Sequence, residues 1–182
     1  MQLHRRHLLK HFAVISAGVL LLPACKQKLS NAAIPLKNIQ LNADSEALLL
    51  ALSESILPKT NTQGAKELAA SAFAVKMLDD CYSPEAQKKF MEGLEQFESY
   101  AKESMQKSFV ICDEAQKASL LTTIELEKVN KEPLEFFYFT FKKHIVQAYT
   151  SSEYFMTKVQ GYEMIPGRFH GCVPVKKSVK AS

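Results

Sequence analysis

The middle of the chain repeats apolar residues at helical spacing, and this pattern constrains the fold more than any other feature. Its clearest instance follows Ser83-Pro84-Glu85, a hydroxyl cap and a proline that are typical of a helix start. Apolar residues then recur every three or four positions, with Glu and Lys on the other side: Phe90, Leu94, Phe97, Ala101 and Met105. The segment therefore predicts an amphipathic helix that other helices must cover.

The same spacing predicts further helices on both sides of this one. In chain order they run over about 44–57, 65–82, 113–129 and 133–149. The inner side of the second helix is expected to carry Ala69, Ala72, Phe73 and Lys76 or Met77. We therefore predict an all-α fold, a single compact bundle of about five to six helices with an extended C-terminal tail.

Two capping boxes support these boundaries. Asp113 with Gln116 precedes the helix that starts near residue 114, and Thr150 with Glu153 precedes a short sixth helix. The aromatic run 136–141 alternates and would also suit a buried strand. Its length, and the lack of a second strand to pair with, favour a helix. Its aromatic side chains are expected in the core, with a partner-facing groove as the alternative.

The N-terminus carries a targeting pattern. Arg5 and Arg6, followed by His7-Leu8-Leu9-Lys10, are typical of a twin-arginine export signal, although His4 stands where a hydroxyl residue is usual. The apolar stretch 12–22 that follows is too short to cross a hydrocarbon core of ~30 Å as a helix. We predict that residues 1–24 are a twin-arginine signal segment. The alternative is an ordinary secretory signal with two chance arginines.

The end of this stretch, Leu22-Pro23-Ala24-Cys25, resembles a bacterial lipobox. If this site is used, Cys25 becomes the lipid-bearing first residue of the mature chain. Cleavage near Ser30-Asn31-Ala32 and an uncleaved anchor are the alternatives. Residues 25–43 are then a linker to a helical domain over 44–160. The predicted location is the periplasm, with membrane association through a lipid anchor or through a partner.

Charge argues against a polyanionic partner. The chain carries 23 Lys and Arg against 19 Asp and Glu, but Arg5, Arg6 and Lys10 lie in the first 24 residues, which hold no acid. The rest of the chain is close to neutral, so we expect no binding to nucleic acid.

Export would place the remaining cysteines in an oxidising compartment. Cys81, Cys112 and Cys172 are three, so at least one lacks an internal partner. Cys81 and Cys112 lie at or near predicted helix ends, where a structural disulfide or buried thiols are the alternatives. Cys172 lies in the aperiodic residues 161–182, on a backbone free to reach outward. The apolar side chains of this tail either pack on its own domain or dock on another protein.

No catalytic pattern accompanies these features. His144 and His170 have no second histidine at metal spacing, and no Gly-rich phosphate loop or GxSxG elbow occurs. We expect His144 to be solvated or to line a helix cap. Paired acids are expected on solvated helix faces: Asp79 with Asp80, and Glu125 with Glu127. No catalytic, cofactor-binding or metal-binding residue is therefore assigned to this chain.

Several short motifs follow one another along the chain in a specific order and spacing. They are Ser53-Glu54-Ser55-Ile56-Leu57-Pro58, Thr60-Asn61-Thr62-Gln63-Gly64-Ala65, Met77-Leu78-Asp79-Asp80-Cys81, Phe136-Phe137, Tyr149-Thr150-Ser151-Ser152-Glu153, and Gly161-Tyr162 through Pro166-Gly167 to Gly171-Cys172-Val173-Pro174. Over about residues 44–174 the chain resembles the gluconate 2-dehydrogenase subunit 3 family.

The resemblance implies a noncatalytic small subunit of a membrane-associated dehydrogenase. Its large partner would be a glucose-methanol-choline-type oxidoreductase that holds FAD and oxidises a sugar or sugar acid, often with a cytochrome c subunit as electron acceptor. The small subunit would support folding and twin-arginine export of that partner and would itself hold no cofactor. We predict that the tail docks on the large subunit, with Cys172 disulfide-linked to it. The candidate docking residues are Tyr162, Pro166, Gly167, Phe169 and Cys172.

Two other hypotheses belong to different functional classes. One is a free-standing periplasmic helical lipoprotein that acts as a binding module, without a dehydrogenase. The other is an enzyme that uses Cys172 or His170.

Overall fold

Five α-helices form the part of the protein that the computed structural model describes, which is residues 34–127, 132–165, 167 and 171–172. In chain order they are α1 (Ala43–Ile56), α2 (Ala70–Cys81), α3 (Pro84–Met105), α4 (Glu114–Glu127) and α5 (Glu132–Thr150). One turn of 3-10 helix, Phe109–Ile111, precedes α4, and one turn of π-helix, Phe155–Val159, follows α5. These described residues contain no strand, so the all-α prediction is confirmed.

Local capping chemistry sets where the helices begin. The side chains of Asn42 and Ser83 accept hydrogen bonds from first-turn amides of α1 and α3, at 2.7 and 3.3 Å. Before α4, the Gln116 amide donates to Asp113 Oδ1 at 2.8 Å, and the Asp113 amide donates to Gln116 Oε1 at 3.3 Å. The first predicted capping box is therefore confirmed in both of its bonds.

Helix α2 begins five residues later than predicted. Ala69 has a left-handed backbone with φ of 48°, which interrupts the helix, so residues 65–69 form turns instead. The predicted inner stripe is also wrong by about one position. The buried apolar residues of α2 are Ala70, Ala74, Val75 and Leu78, while Ala72, Phe73, Lys76 and Met77 are only partly buried.

The centre of the core is an aromatic contact between α3 and α5. The ring centroid of Phe90 lies 4.8 Å from that of Phe137, and Phe97 lies 5.6 Å from the same ring. Phe109 from the 3-10 turn is fully buried and lies 5.1 Å from Phe97. The apolar stripe that predicted α3 is thus the surface on which α5 packs.

The chain ahead of α1 packs on the body as well. We call residues 34–42, which fall in the segment predicted as a linker, the N-terminal arm. Ile39 and Leu41 are 6% and 2% exposed and belong to the same core. Within the described residues, no helix is both long enough and apolar enough to span a bilayer.

The second predicted capping box is wrong. The Thr150 hydroxyl donates to the carbonyl of Val146 at 3.0 Å, because Thr150 is still the last residue of α5. Ser152 takes the capping position instead, and its Oγ accepts from the Phe155 amide at 3.1 Å. The short sixth helix is a single π turn.

Candidate docking surface

The C-terminal tail exposes its apolar side chains wherever the structure describes them. Tyr162 is 53% exposed, Met164 81% and Ile165 85%. Single exposed apolar residues are ordinary, but three large ones within four positions form a patch of the kind that marks a binding surface. Gly167 and Cys172 are exposed too. Packing on the protein's own body therefore does not cover this stretch.

The tail leaves the body at a glycine turn. Gly161 has φ of +65°, a conformation that glycine adopts without strain, and the Tyr162 amide donates to the carbonyl of Met156 at 2.8 Å. The ring centroid of Phe155, in the π turn, lies 5.1 Å from that of Tyr149 on α5. These contacts tie the start of the tail to the C-terminal end of α5.

Helix α5 presents further exposed apolar side chains. Phe139 is 46% exposed and Val146 49%, and they are seven positions apart, so they lie on the same face of the helix. On the other side Phe137, Phe141 and Ile145 are fully buried. The prediction that the aromatic run lies in the core is confirmed for Phe137 and Phe141, and it is wrong for Phe139.

We call the exposed apolar residues of α5 and of the described tail the candidate docking surface. Its members are Phe139, Val146, Tyr162, Met164 and Ile165.

The inner side of α5 carries a buried histidine. His144 is 4% exposed, so the expectation of a solvated or cap-lining side chain is wrong. Its Nδ1 lies 3.0 Å from Gln147 Oε1, an acceptor, and its Nε2 lies 2.8 Å from the Tyr82 hydroxyl. The hydrogen-bond geometry therefore assigns a proton to Nδ1 and places the Tyr82 hydroxyl to donate to Nε2. Burial, reinforced by the nearby Cys81, raises the pKa of Tyr82 and keeps it a donor.

A second polar cluster joins α4 to α5. The Tyr138 hydroxyl and Lys142 Nζ both donate to Oε1 of Glu125, the lysine at 2.5 Å. The hydrogen bonds from Lys142 and Tyr138 lower the pKa of Glu125, whereas burial and the Glu125 charge raise the pKa of Tyr138. Glu125 is thus partnered within the fold and does not lie on a purely solvated face.

The cysteines of the described residues are free thiols. Cys81 and Cys172 are exposed, whereas Cys112 is buried and donates from Sγ to the carbonyl of Ser108 at 3.4 Å. Within the part of the chain that the structure describes, no group of three or more His, Cys, Asp or Glu side chains is arranged to hold a metal ion.

The loop after α1 borders an open cleft of about 620 Å³. Gly64 allows the loop to pack this closely, because a Cβ at this position would lie only 2.7 Å from the backbone nitrogen of Lys59. Glu67 fastens it by accepting from the Gly64 amide at 3.1 Å and pairing with Lys59 at 2.9 Å. Three lysines and three glutamates line the cleft, so no single charge sign marks a ligand.

Several predicted site residues lie outside the described residues. They are Arg5, Arg6, Cys25, Pro166 and Phe169, together with His170.

Sequence reasoning missed the role of Asp79. It was expected on a solvated face with Asp80, but it is 1% exposed, and that expectation is wrong. Asp79 lies four positions after Val75 and eight after Ser71, both of which are buried, so the spacing places it on the same face of α2. The sequence spacing therefore indicates a buried position for Asp79. Only its contacts with the N-terminal arm explain why an acid is buried there.

A comparison with protein families gives one match. The family model described as "Gluconate 2-dehydrogenase subunit 3" covers residues 43–167, which is more than half of the chain and runs from the start of α1 into the tail. No curated protein and no solved structure matches the chain.

Proposed function

The chain belongs to the gluconate 2-dehydrogenase subunit 3 family, and we propose that it is the noncatalytic small subunit that supports folding, twin-arginine export and assembly of an FAD-dependent dehydrogenase. The family description itself places it among the subunits of a multi-subunit dehydrogenase. We further propose a large partner of the glucose-methanol-choline type that oxidises a sugar or sugar acid, with a cytochrome c subunit as electron acceptor.

The observation that carries the proposal is the exposed apolar run of Tyr162, Met164 and Ile165. Leaving such side chains in water is unfavourable, and burying them against a partner would release that cost. Phe139 and Val146 on α5 are further exposed apolar side chains outside the tail. A subunit that is assembled with a larger protein would need a surface of this kind.

The polar clusters support a noncatalytic role. Both ring nitrogens of His144 have partners within the fold, and Glu125 accepts from Tyr138 and Lys142. These hydrogen bonds join helices, and they occupy both ring nitrogens of His144 and Oε1 of Glu125. We therefore place the FAD and the oxidation chemistry in the large partner, not in this chain.

Export and location complete the proposal. Arg5 and Arg6 would route the assembled, folded complex through the twin-arginine pathway to the periplasm. Membrane association would come from a lipid on Cys25 or from the partner.

Co-purification tests the subunit role. A tagged copy of the full chain is expressed with the flavin dehydrogenase of its own genome, and the material that it captures is assayed for flavin and for sugar oxidation. The double substitution Met164→Ser and Ile165→Ser should abolish most of the capture, because it removes the two most exposed apolar side chains among the described tail residues. Glu163→Gln, at the position directly before this pair, is the matched control and should capture the partner as the wild type does.

Two results would overturn the proposal. One is a wild-type chain that captures no flavoprotein, which would favour the free-standing lipoprotein. The other is a flavin or haem spectrum, or sugar oxidation, that persists in the dialysed chain purified alone.

A further inference from the structure

Three consecutive amides of the N-terminal arm point at one carboxylate. The Lys37 amide donates to Asp79 Oδ2 at 2.7 Å, and the amides of Asn38 and Ile39 donate to Oδ1 at 2.8 and 2.9 Å. Successive backbone N–H groups arranged in this way form a concave anion-binding nest. Here the anion belongs to the protein itself, on the last turn of α2.

The backbone of Asp79 is held from two further directions. The Asn38 side-chain amide donates to the Asp79 carbonyl at 2.9 Å, and Gln87 Nε2 from α3 donates to the same carbonyl at 2.9 Å. Gln87 also reaches the carbonyl of Tyr82 at 3.2 Å. The arm, the end of α2 and the start of α3 therefore meet at one residue.

The ionised form of Asp79 is the one that this nest requires. Burial by itself raises the pKa of the carboxyl, but the three amide donors outweigh it and the net pKa lies below the ordinary value of 3.8. The carboxylate is thus charged, and it accepts all three bonds, at neutral and mildly acidic pH.

The arm uses the backbone amides of residues 37–39 in hydrogen bonds, but it leaves the Lys37 side chain, which trypsin recognises, in solvent. Ile39 and Leu41 are buried, and Leu36 packs against the same core. The Lys37 side chain is 74% exposed and lies 3.3 Å from Asp80 in a surface ion pair. Trypsin could therefore reach the Lys37 side chain, but its amide and the next two are already bonded to Asp79.

We propose that Asp79 is a latch that fastens the N-terminal arm to the folded body and so protects residues 34–42 from peptidases. A peptidase binds its substrate as an extended strand and hydrogen-bonds to the substrate backbone. With the latch closed, the amides of residues 37–39 are occupied, so a peptidase cannot hydrogen-bond to this part of the arm. The latch depends only on the fold of this chain, so it is independent of the proposed dehydrogenase partner.

Cleavage at Lys37 by trypsin, followed by mass spectrometry on the full chain, tests the latch. The synthetic peptide of residues 34–42 supplies the unprotected rate. We expect the wild type to be cut at Lys37 at least about tenfold more slowly than the peptide. Asp79→Ala should be cut at least about tenfold faster than the wild type, because three amides lose their acceptor. The matched control Asp80→Asn should stay within about twofold of the wild type, since it weakens only two surface ion pairs, those with Lys37 and Lys76.

Two further measurements cover the case in which Asp79→Ala does not fold, as judged by its helical circular dichroism. Asp79→Asn keeps one acceptor oxygen and should give a cleavage rate between those of the wild type and the peptide. Hydrogen exchange in the folded wild type should show the amides of residues 37–39 at least about tenfold slower than in the peptide. Peptide-like cleavage or exchange in the wild type would overturn the latch, and so would a folded Asp79→Ala protein as protected as the wild type.

Discussion

The Tyr82 hydroxyl lies 2.8 Å from Nε2 of His144, and this contact joins the C-terminal capping residue of α2 to the buried side of α5. Gln147 Oε1 lies 3.0 Å from the other ring nitrogen, so both nitrogens have a partner. Because His144 is 4% exposed, water cannot readily replace a partner that is lost. The contact links α2, which holds the arm, to α5, from whose end the tail begins.

Tyr82→Phe should destabilise the protein by about 1–3 kcal/mol, the usual cost of leaving a buried polar atom unpaired. The ring is kept, so the loss reports the hydroxyl and not a cavity. Urea unfolding followed by circular dichroism measures it. Tyr162→Phe, in the exposed tail, is the control and should unfold at the wild-type midpoint. Equal midpoints for both variants would show that His144 does not depend on Tyr82.

Gly93→Ala should destabilise the protein although alanine is the better helix former. An added Cβ would collide with the carbonyl oxygen of Pro133 and would lie 2.5 Å from Cβ of Phe137, across the contact between α3 and α5. Helix propensity favours alanine by ~1 kcal/mol, whereas overpacking costs about 1–3 kcal/mol or more. A backbone clash falls at the upper end, so we expect a net loss of about 2 kcal/mol in urea unfolding. Gly167→Ala, where an added Cβ meets nothing within 4 Å, should be neutral. A stabilised Gly93→Ala protein would contradict the close approach.

Glu125 should contribute a pH-dependent part of the stability. Its pKa is lowered from 4.5 in the folded protein by the hydrogen bonds from Lys142 and Tyr138. A depressed folded pKa gives stability that is fully present above the unfolded value and is lost as the pH falls through the folded value. The advantage of the wild type over Glu125→Gln should therefore be greatest near neutral pH and shrink below pH 4.5. Urea midpoints between pH 7 and pH 3 measure it.

Glu103→Gln, on the exposed side of α3, is the control for that series. Its difference from the wild type should not follow the pH dependence of the Glu125 variant. If the stability advantage of the wild type over Glu125→Gln stayed constant down to pH 3, the ion pair with Lys142 would not be its source.

Export should depend on the paired arginines. Replacing Arg5 and Arg6 together by Lys keeps the charge but removes the twin-arginine pattern, so the chain and its flavin partner should both remain in the cytoplasm. Fractionation with a dehydrogenase assay on each fraction measures this, and Lys10→Arg serves as a control outside the pair. Normal periplasmic dehydrogenase activity in the double variant would contradict the escort role.

Cys172 should form a disulfide to the large subunit. Cys112 is buried against its own turn, whereas Cys81 and Cys172 are both exposed. Of these two, Cys172 lies in the tail that we propose to dock on the large subunit. The native complex should run as one band in non-reducing electrophoresis and as separate subunits after reduction. Cys172→Ser should weaken assembly without abolishing it, because the disulfide mainly makes tail binding intramolecular. Cys81→Ser is the control, and separate wild-type subunits without reductant would exclude the bond.

Features set by neighbours in the chain were predictable from the sequence. The reciprocal bonds of Asp113 and Gln116, and the Ser83 cap, join residues three positions apart, so their geometry depends on little else. The stripe through Phe90, Leu94 and Phe97 was readable for the same reason and is buried as predicted. The family, too, followed from short motifs in order, and the family match over residues 43–167 confirms it.

Features that join distant parts of the chain were decided by the tertiary structure alone. Asp79 is buried because amides some forty positions earlier surround it, and His144 is buried because Tyr82, sixty-two positions away, supplies its partner. Sequence by itself determined that this chain makes amphipathic helices and belongs to one family of dehydrogenase subunits. The tertiary structure decided which polar groups lie inside and that Phe139 faces outward, since burying a polar group is favourable only where a partner from another element satisfies it.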